Sequence, residues 1–291
     1  MNNLPFYILD VFAEQKYAGN QLAVFRRAAS LTTEEMQRIA VEMHYSETTF
    51  ILHDETRDGG FDVRIFTPAE EILFAGHPTL GTAHIIRHEI LGGTPAEVVL
   101  NLKVGQIRTS LDEDGYTWMR QNEPVFGRRH PPAALAAVLG LHVADIDERF
   151  PVEEISTGTW FFIVPLKSIE ALKKARVNLD KYQALIQGTE SKAVLVFAPE
   201  THEPGNDLSV RMFADYYGVP EDPATGSANG CLAGYLVKNR YFGSTSIDIT
   251  CEQGYEIGRP SRLKLSSGQT GDHIEVNVGG RCFTVAKGEF V

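Results

Sequence analysis

This chain of 291 residues has few cysteines, only short apolar runs and fewer basic than acidic residues. The three cysteines, Cys231, Cys251 and Cys282, form no CxxC pair and are odd in number, so neither a zinc site nor a disulfide framework is indicated. Lysine and arginine number 27 against 38 acidic residues, for a net charge of −11. Phosphate contacts need clustered cations, so this balance argues against nucleic acid or an anionic membrane as the main partner.

No segment has the character of a targeting sequence or a membrane span. Residues 1–6 lack the basic start and unbroken apolar stretch of a signal peptide, and Asp10 interrupts the run that follows. The longest apolar candidate, residues 160–164, is far shorter than the about 20 residues that a spanning helix needs. Together with the reducing compartment that the cysteines indicate, these features predict a cytoplasmic protein.

One segment of the chain occurs twice. The Arg-Ile-Phe of residues 64–66 leads through an acidic loop to Gly76, and the Arg-Met-Phe of residues 211–213 leads through another to Gly226. Each copy has the pattern of a strand, a loop and the start of an apolar helix, and the second copy carries three extra residues. A repeat of this size predicts two related halves. Two helix starts with bare backbone N–H groups would suit a small anion.

Hydrophobic periodicity and turn signals predict a similar order of elements in both halves. In the first half we expect strands over 7–12, 21–25, 48–52, 62–66, 98–103 and 106–111, a helix capped at Thr32, and a helix over 77–90. In the second half we expect strands over 160–165, 193–197, 208–213, 247–251, 263–266 and 274–278, and helices over 169–175, 179–186 and 227–238. Many strands and few helices per half predict an α+β class, with strands around one buried helix.

Prolines and charges in residues 122–124 and 127–132 predict a linker or crossover between the halves. We therefore expect a first domain over residues 1–128 and a second over 129–291, and a return of the last strand to the first domain stays open. The acidic loop residues Glu70 and Glu71 are most simply interpreted as solvated.

Glu47 places a carboxylate in an otherwise apolar and β-branched strand. Burial beside Tyr45 and Phe50 would raise the pKa of Glu47, which is the direction that a general acid/base near neutral pH requires. From the residues alone, an exposed strand-end or capping glutamate is the simpler alternative.

Polar residues also stand at both predicted helix starts. The dipole of the first helix would lower the pKa of His77 and keep its imidazole neutral, and Pro78 suits a first helical turn. Beside Gly226, Asp222 could orient a substrate or relay a proton, and Ser227 could donate to a carboxylate. Each of these polar residues also fits a structural role as a helix cap or a turn residue.

Signals for a metal or a cofactor are weak. His84 and His88 have the i, i+4 spacing that can bind a metal, but no third ligand is evident. Neither a GxxxxGK[ST] loop nor a GxGxxG after a strand occurs, so nucleotide and dinucleotide binding have no motif support. We expect no metal and no cofactor.

Four short blocks of the sequence resemble the signature blocks of the PhzF family, the phenazine-biosynthesis isomerase-like proteins. They are Gly-Asn at 19–20, Ser-Glu-Thr-Thr-Phe at 46–50, Phe-Ala-Gly-His-Pro at 74–78 and Asp-Pro-Ala-Thr-Gly-Ser-Ala at 222–228, in the family's order. The resemblance covers essentially the whole chain. It implies a diaminopimelate-epimerase-like fold of two pseudo-symmetric domains, each a curved, mostly antiparallel sheet or barrel around a central helix, with the active site in the cleft between them. It also implies a homodimer.

The resemblance assigns roles to individual residues. Glu47 matches the family's catalytic acid/base, which removes a proton from a carbon of a cyclic dihydro-hydroxyanthranilate and returns one elsewhere. Groups that assist catalysis or bind the substrate are then His77, Asp222, Asn20, Gly76, Gly226 and Ser227. The expected activity is isomerisation of a small cyclic or amino-acid-like carboxylate by a single carboxylate, without a cofactor.

Two other functions are weighed against this expectation. Two-thiol racemases of the wider superfamily carry cysteines just before the glycine of each helix start, where this chain has Ala75 and Thr225. Cys231 follows on an apolar helix and is better explained as packed core. A non-catalytic carboxylate-binding or regulatory protein would be marked by loss of Glu47, His77, Asp222 or Ser227, and none is lost. An enzyme is therefore favoured.

Overall fold

The computed structural model describes residues 4–291; residues 1–3, which enter the signal-peptide argument and the first predicted domain, lie outside the described residues. The strands are β1 (Leu4–Val11), β2 (Asn20–Phe25), β3 (Glu47–Ile51), β4 (Phe61–Phe66), β5 (Glu71–Ile72), β6 (Glu97–Leu102), β7 (Gly105–Leu111), β8 (Thr117–Arg120), β9 (Val125–His130), β10 (Val152–Ser156), β11 (Trp160–Pro165), β12 (Ala193–Ala198), β13 (Leu208–Ala214), β14 (Val219–Asp222), β15 (Ser246–Gln253), β16 (Ser261–Thr270), β17 (His273–Gly280) and β18 (Cys282–Phe290). The α-helices are α1 (Thr33–Met43), α2 (Gly76–Ile85), α3 (Pro132–Leu139), α4 (Ile169–Lys174), α5 (Leu179–Ile186) and α6 (Gly226–Lys238). No helix in this part of the chain combines the length and hydropathy needed to cross a lipid bilayer.

The chain divides into two compact units. Unit 1 comprises the residues up to Arg120 together with Gly279–Val291, and unit 2 comprises Gln121–Val278. The sequence analysis set the boundary after residue 128, whereas the structure assigns residues 121–128 to unit 2. Strand β18 pairs antiparallel with β1 along its whole length, so the last strand lies in unit 1.

The sheet of unit 1 runs in the order β18, β1, β2, β3, β4, β6, β7 and β8. The β2–β3 and β4–β6 pairs are parallel and the other neighbours are antiparallel, with short β5 paired to the end of β4. Helix α2 contacts strands on both sides of this sheet order, from β18 and β1 through to β8. The sheet therefore curves around α2, which is its central helix.

Unit 2 repeats this plan from its first strand to β16. Its sheet runs β9, β10, β11, β12, β13, β15 and β16, with parallel β11–β12 and β13–β15 pairs and with short β14 on β13. The central helix is α6, which contacts β10, β11, β15 and β16. Two pseudo-symmetric domains, each a mostly antiparallel sheet around one helix, confirm the predicted α+β class.

The composition of α2 explains why it lies inside the sheet. Every residue of α2 except His84 is buried, so the helix has no polar face that could remain in water. Gly81 allows the closest approach to the strands, because a Cβ there would lie 2.5 Å from Leu22 Cδ2 and 2.8 Å from Val11 Cγ2. In α6, Gly230 has the same function against the side chain of Gln121.

An arginine–glutamate ion pair precedes each central helix. In unit 1, Arg64 Nε and Nη2 donate to the two carboxylate oxygens of Glu71 at 2.7 Å each. In unit 2, Arg211 makes the equivalent bonds to Glu221 at 2.8 and 2.7 Å. Such bidentate pairs fix the relative orientation of the two side chains. Each pair ties a long strand to the short strand that leads into the central helix.

Each arginine also reaches the helix that connects the parallel strands of its unit. Arg64 Nη2 donates to the Thr33 hydroxyl in the first turn of α1, at 3.0 Å. Arg211 Nη1 donates to the carbonyls of Leu172 and Ala175 at the end of α4, at 2.8 and 2.9 Å. The repeated arginine thus joins a strand, an acidic side chain and a connecting helix in both halves.

Two sequence expectations are wrong. Glu71 is not a solvated loop acid, because Arg64 and Lys103 both bind it and its side chain is only 11% exposed. The segment expected to be a linker contains strand β9, which pairs antiparallel with β10. Most residues of β9 are exposed, and such a polar edge strand lacks the apolar pattern by which strands are identified in a sequence.

Replacing Arg211 by Met is expected to lower the free energy of unfolding by about 3–5 kcal/mol, since it leaves the carboxylate of Glu221 buried without its cation. The matched control is Arg108→Met, which breaks an exposed pair with Glu97. That change should cost less than about 1 kcal/mol. Urea unfolding of the two variants makes the comparison, and equal losses would contradict the role given to the buried pair.

Candidate active site

Three of the predicted site residues meet at one end of unit 1. Asn20 is the first residue of β2, and Glu47 is the first residue of β3, its parallel neighbour. His77 is the second residue of α2, and its imidazole reaches both of them. Neighbouring parallel strands that begin beside a helix start bring the three side chains together.

The three side chains form a row with the imidazole in the middle. His77 Nε2 lies 3.3 Å from Glu47 Oε2, and both atoms are shielded from solvent. On the other side of the ring, Asn20 Nδ2 lies 3.3 Å from His77 Nδ1. These distances are longer than a typical hydrogen bond, and contacts between catalytic groups commonly shorten when substrate binds. The row suits proton transfer at Glu47.

The environment keeps the imidazole of His77 neutral. Burial lowers the pKa of His77 to about 3, and a hydrogen bond with the Gln21 backbone acts in the opposite direction. The direction agrees with the sequence expectation, but the main cause is burial rather than the helix dipole. A neutral imidazole has one donor and one acceptor nitrogen, so it can hydrogen-bond to either form of a neighbouring carboxyl group.

Neither central helix has a side-chain cap at its start. Ala75 is the N-cap of α2 and has no polar side chain. Thr225 is the N-cap of α6, but its hydroxyl donates to Asp222 Oδ2 at 2.5 Å instead of accepting from the helix. The first backbone N–H groups of both helices, at Gly76 and Gly226, thus have no capping side chain, which favours oxyanion binding.

Polar contacts in unit 2 hold Asp222 and the start of α6 in place. Gln253 Nε2 donates to the Asp222 carbonyl at 2.7 Å, and its Oε1 accepts from Thr225 N at 3.3 Å and from Asn229 Nδ2 at 2.9 Å. Ser227 is the second residue of α6 and is half-buried. The sequence analysis missed Gln253 and Asn229, because only the folded chain brings the end of β15 beside this helix start.

Strand register identifies the counterpart of each site residue in the other half. Thr48 pairs with Phe66 as Val194 pairs with Phe213, so Glu47 corresponds to Ala193. In the short strands β5 and β14, Ile72 pairs with Ile65 as Asp222 pairs with Met212, so Asp222 corresponds to Ile72. Unit 1 therefore carries the glutamate and unit 2 carries the aspartate, and neither is duplicated.

The three cysteines lack the properties of nucleophiles, and two of them, Cys231 and Cys251, are buried core residues. Cys231 is fully buried in α6, and its Sγ lies 3.7 Å from Thr157 Oγ1. Burial raises the pKa of Cys231 and of Cys282 to about 12, and it raises that of Cys251 as well. Because the thiolate is the reactive form, these thiols are unreactive near neutral pH.

The rings of the two histidines at i, i+4, His84 and His88, lie side by side with their centroids 4.3 Å apart and their planes tilted by 51°. Burial lowers the pKa of His84 to about 4, with smaller contributions from His88 and Arg87. Within residues 4–291, no group of three or more His, Cys, Asp or Glu side chains is placed to hold a metal ion.

Comparison with known proteins identifies the family of the chain. The family model described as "Phenazine biosynthesis-like protein" matches residues 9–288. The trans-2,3-dihydro-3-hydroxyanthranilate isomerase of Pseudomonas aeruginosa is 36% identical over 97% of this chain and 98% of its own. A crystal structure of a PhzF-family phenazine biosynthesis protein from Bacillus anthracis superposes with a TM-score of 0.90 at 27% identity, with all of both chains covered.

A more distant likeness concerns the fold alone. A probable proline racemase from Agrobacterium radiobacter has a TM-score of 0.61 at 9% identity and covers 99% of this chain and 93% of its own. Relatives that are isomerases match nearly the whole chain, and they define this protein as an isomerase. The chain belongs to the PhzC-PhzF family of phenazine biosynthesis-like proteins.

The buried imidazole predicts a pH dependence of stability. The pKa of His77 is about 3 in the folded chain against an ordinary value of 6.5, so between these values the unfolded chain binds a proton that the folded chain does not. Stability attributable to His77 is therefore complete above pH 6.5 and falls as the pH drops towards 3, by up to about 1.4 kcal/mol per unit.

We expect His77→Gln to reduce the loss of stability between pH 7 and pH 5 by about 2 kcal/mol. His273→Gln is the control, because that side chain is 84% exposed. Denaturant unfolding at both pH values gives the difference. An unchanged difference in His77→Gln would show that the folded imidazole titrates normally.

Proposed function

We propose that this isomerase moves a proton on a small cyclic or amino-acid-like carboxylate without a cofactor, and that Glu47 is its acid/base. The observation that carries the proposal is the buried Glu47–His77 contact of 3.3 Å beside the uncapped start of α2. The equivalent position in the other half is Ala193, which supports a mechanism with one carboxylate rather than a symmetric pair.

The proposed reaction is an internal proton transfer. The Glu47 carboxylate takes a proton from a carbon of the substrate, and the electron pair of the broken C–H bond shifts into the adjoining unsaturated system. The proton on the Glu47 carboxylic acid exchanges with solvent, and the acid then returns a proton to another carbon, so the substrate's formula is unchanged. Neutral His77 holds the carboxyl group in position and hydrogen-bonds to it in both protonation states.

Backbone and polar groups at the helix starts complete the proposal. The N–H group of Gly76 stabilises negative charge that develops on the substrate in the transition state. Asn20 orients the imidazole of His77 through its contact of 3.3 Å and borders the substrate. In unit 2, Gly226 and Ser227 are proposed to bind a carboxylate and Asp222 an amino group, the pair of groups that an anthranilate-type substrate carries.

Two further proposals concern the whole molecule, and only the first of them, the homodimer, comes from the family resemblance. We propose that the protein is a homodimer and that it acts in the cytoplasm. Light scattering of the purified protein and fractionation of cells test these two points separately from the chemistry.

Glu47→Gln is expected to reduce deuterium incorporation from D2O into trans-2,3-dihydro-3-hydroxyanthranilate by at least about 100-fold, because the amide removes the proton acceptor while keeping the size of the side chain. Calorimetry should show that ligand binding persists. Proton NMR of the substrate measures the exchange. Glu70→Gln, in an exposed loop, is the matched control and should behave as the wild type.

The outcomes of that experiment separate the alternatives. Exchange that is unaffected in Glu47→Gln would exclude Glu47 as the acid/base. Tight binding of the compound with no exchange and no conversion by the wild type would favour a non-catalytic binding protein instead.

A two-thiol racemase would be inactivated by a reagent that alkylates cysteine. Because burial raises the pKa of Cys231 to about 12, we expect iodoacetamide at pH 7.5 to leave the activity of the folded protein unchanged. Mass spectrometry of the treated protein reports which thiols react. Inactivation in proportion to alkylation of a single cysteine would contradict the one-carboxylate mechanism.

A further inference from the structure

The loop before Asn20 is longer in the half that carries Glu47. In unit 1, eight residues (12–19) connect β1 to β2, whereas three residues (157–159) connect the equivalent strands β10 and β11. The longer connection runs directly into Asn20, whose amide contacts the imidazole of His77. The extra residues therefore lie at the edge of the proposed site, in one half only.

The backbone of this loop is held from several sides. Tyr17 N donates to Asp10 Oδ2 at 2.6 Å, and Asp10 is 2% exposed. Ala13 N donates to the Arg281 carbonyl at 3.2 Å. At Gly19, where φ is +69°, a Cβ would lie 2.4 Å from the Val11 carbonyl oxygen. These contacts determine the path of the loop.

Tyr17 itself has a φ of 70°, a left-handed conformation that is unfavourable for a bulky residue. Residues in such conformations persist where the surrounding structure determines them, and they cluster at functional sites. Its neighbours Ala18 and Asn20 are buried, at 3% and 2% exposure, but the Tyr17 side chain is 73% exposed. The loop thus fixes its backbone and presents one aromatic ring to solvent.

A second exposed apolar side chain follows the same pattern. Leu73 is 61% exposed and lies between β5 and the start of α2 at Gly76. Tyr17 and Leu73 each stand three residues before a site residue, Asn20 and Gly76 respectively. Exposed apolar groups on rigid loops that lead to a polar site are suited to contact a ligand rather than the core.

We propose that Tyr17 is a specificity-determining residue, whose ring packs on the face of the substrate ring while Glu47 acts on a carbon of that ring. It selects planar, conjugated cyclic carboxylates over saturated ones of the same charge. Offset stacking of two π systems stabilises the planar ligand beyond the area buried, and a saturated ring offers no π face. This inference rests on the proposed function, because it takes Glu47 to mark where the substrate binds.

Calorimetric titration with two probes tests the proposal. Benzoate and cyclohexanecarboxylate carry the same single carboxylate on a planar and a saturated ring. We expect the wild type to bind benzoate about tenfold more tightly, from the energy of one stacked pair. Tyr17→Phe should keep this ratio. Tyr17→Leu should bring it close to one.

Two further variants serve as controls. One removes the Tyr17 ring without straining the loop, and the other removes an exposed tyrosine elsewhere in the chain. Tyr17→Asn removes the ring and suits the left-handed backbone, so it should bring the ratio close to one with the loop intact. Tyr216→Leu removes a 58% exposed tyrosine from unit 2 and should keep the wild-type ratio.

Several results would overturn the inference. The wild type could bind both probes equally well, or Tyr17→Asn could keep the wild-type ratio of affinities. Tyr17→Asn could also weaken the binding of both probes equally, which would indicate a structural role. A change of oligomeric state in Tyr17→Asn would assign the ring to a contact between copies instead. Glu47→Gln should keep the ratio while losing exchange, so the failure of the acid/base assignment and the failure of this inference are distinguishable.

Discussion

Each half of the molecule depends on burying a helix that has almost no polar face. A helix such as α2 has to be covered on all sides, and a sheet achieves this only by curving around it. The start of the helix is then the one place where its backbone N–H groups can meet a ligand. The side chains of Asn20, Glu47 and His77 lie together there because parallel strands β2 and β3 begin at the same end.

The repeated arginine–glutamate pair sets the position of that helix start. Glu71 stands five residues before Gly76, and Glu221 stands five residues before Gly226, whereas the three-residue difference between the copies lies upstream of each glutamate. The chain from the arginine to the glutamate therefore differs in length between the two copies, whereas the chain from the glutamate to the glycine does not. Burial makes the loss of either partner costly, because the remaining charge would stay in the protein interior without its counter-ion.

Sequence patterns predicted most of the longer elements and singled out Asn20, Glu47 and His77, which the fold brings together, but not the polar contacts that hold the elements. Long strands such as β11 and β12 are strongly apolar and were identifiable from composition alone. Short β5 and exposed β9 were missed, because two residues or a polar edge give no periodic signal. Asp10 and Gln253 were missed for another reason: each acts on a backbone group that only the folded chain brings near.

The unequal hairpins of the two halves have a consequence for how such proteins diversify. One half tolerates eight residues and the other three at the same point of the same sheet, with the flanking strands still paired. Insertion at this point therefore leaves the pairing of the flanking strands intact while it alters the chain beside Asn20. The hairpin is thus a position at which the surroundings of Asn20 can be redesigned, as a cassette, without changing the sheet.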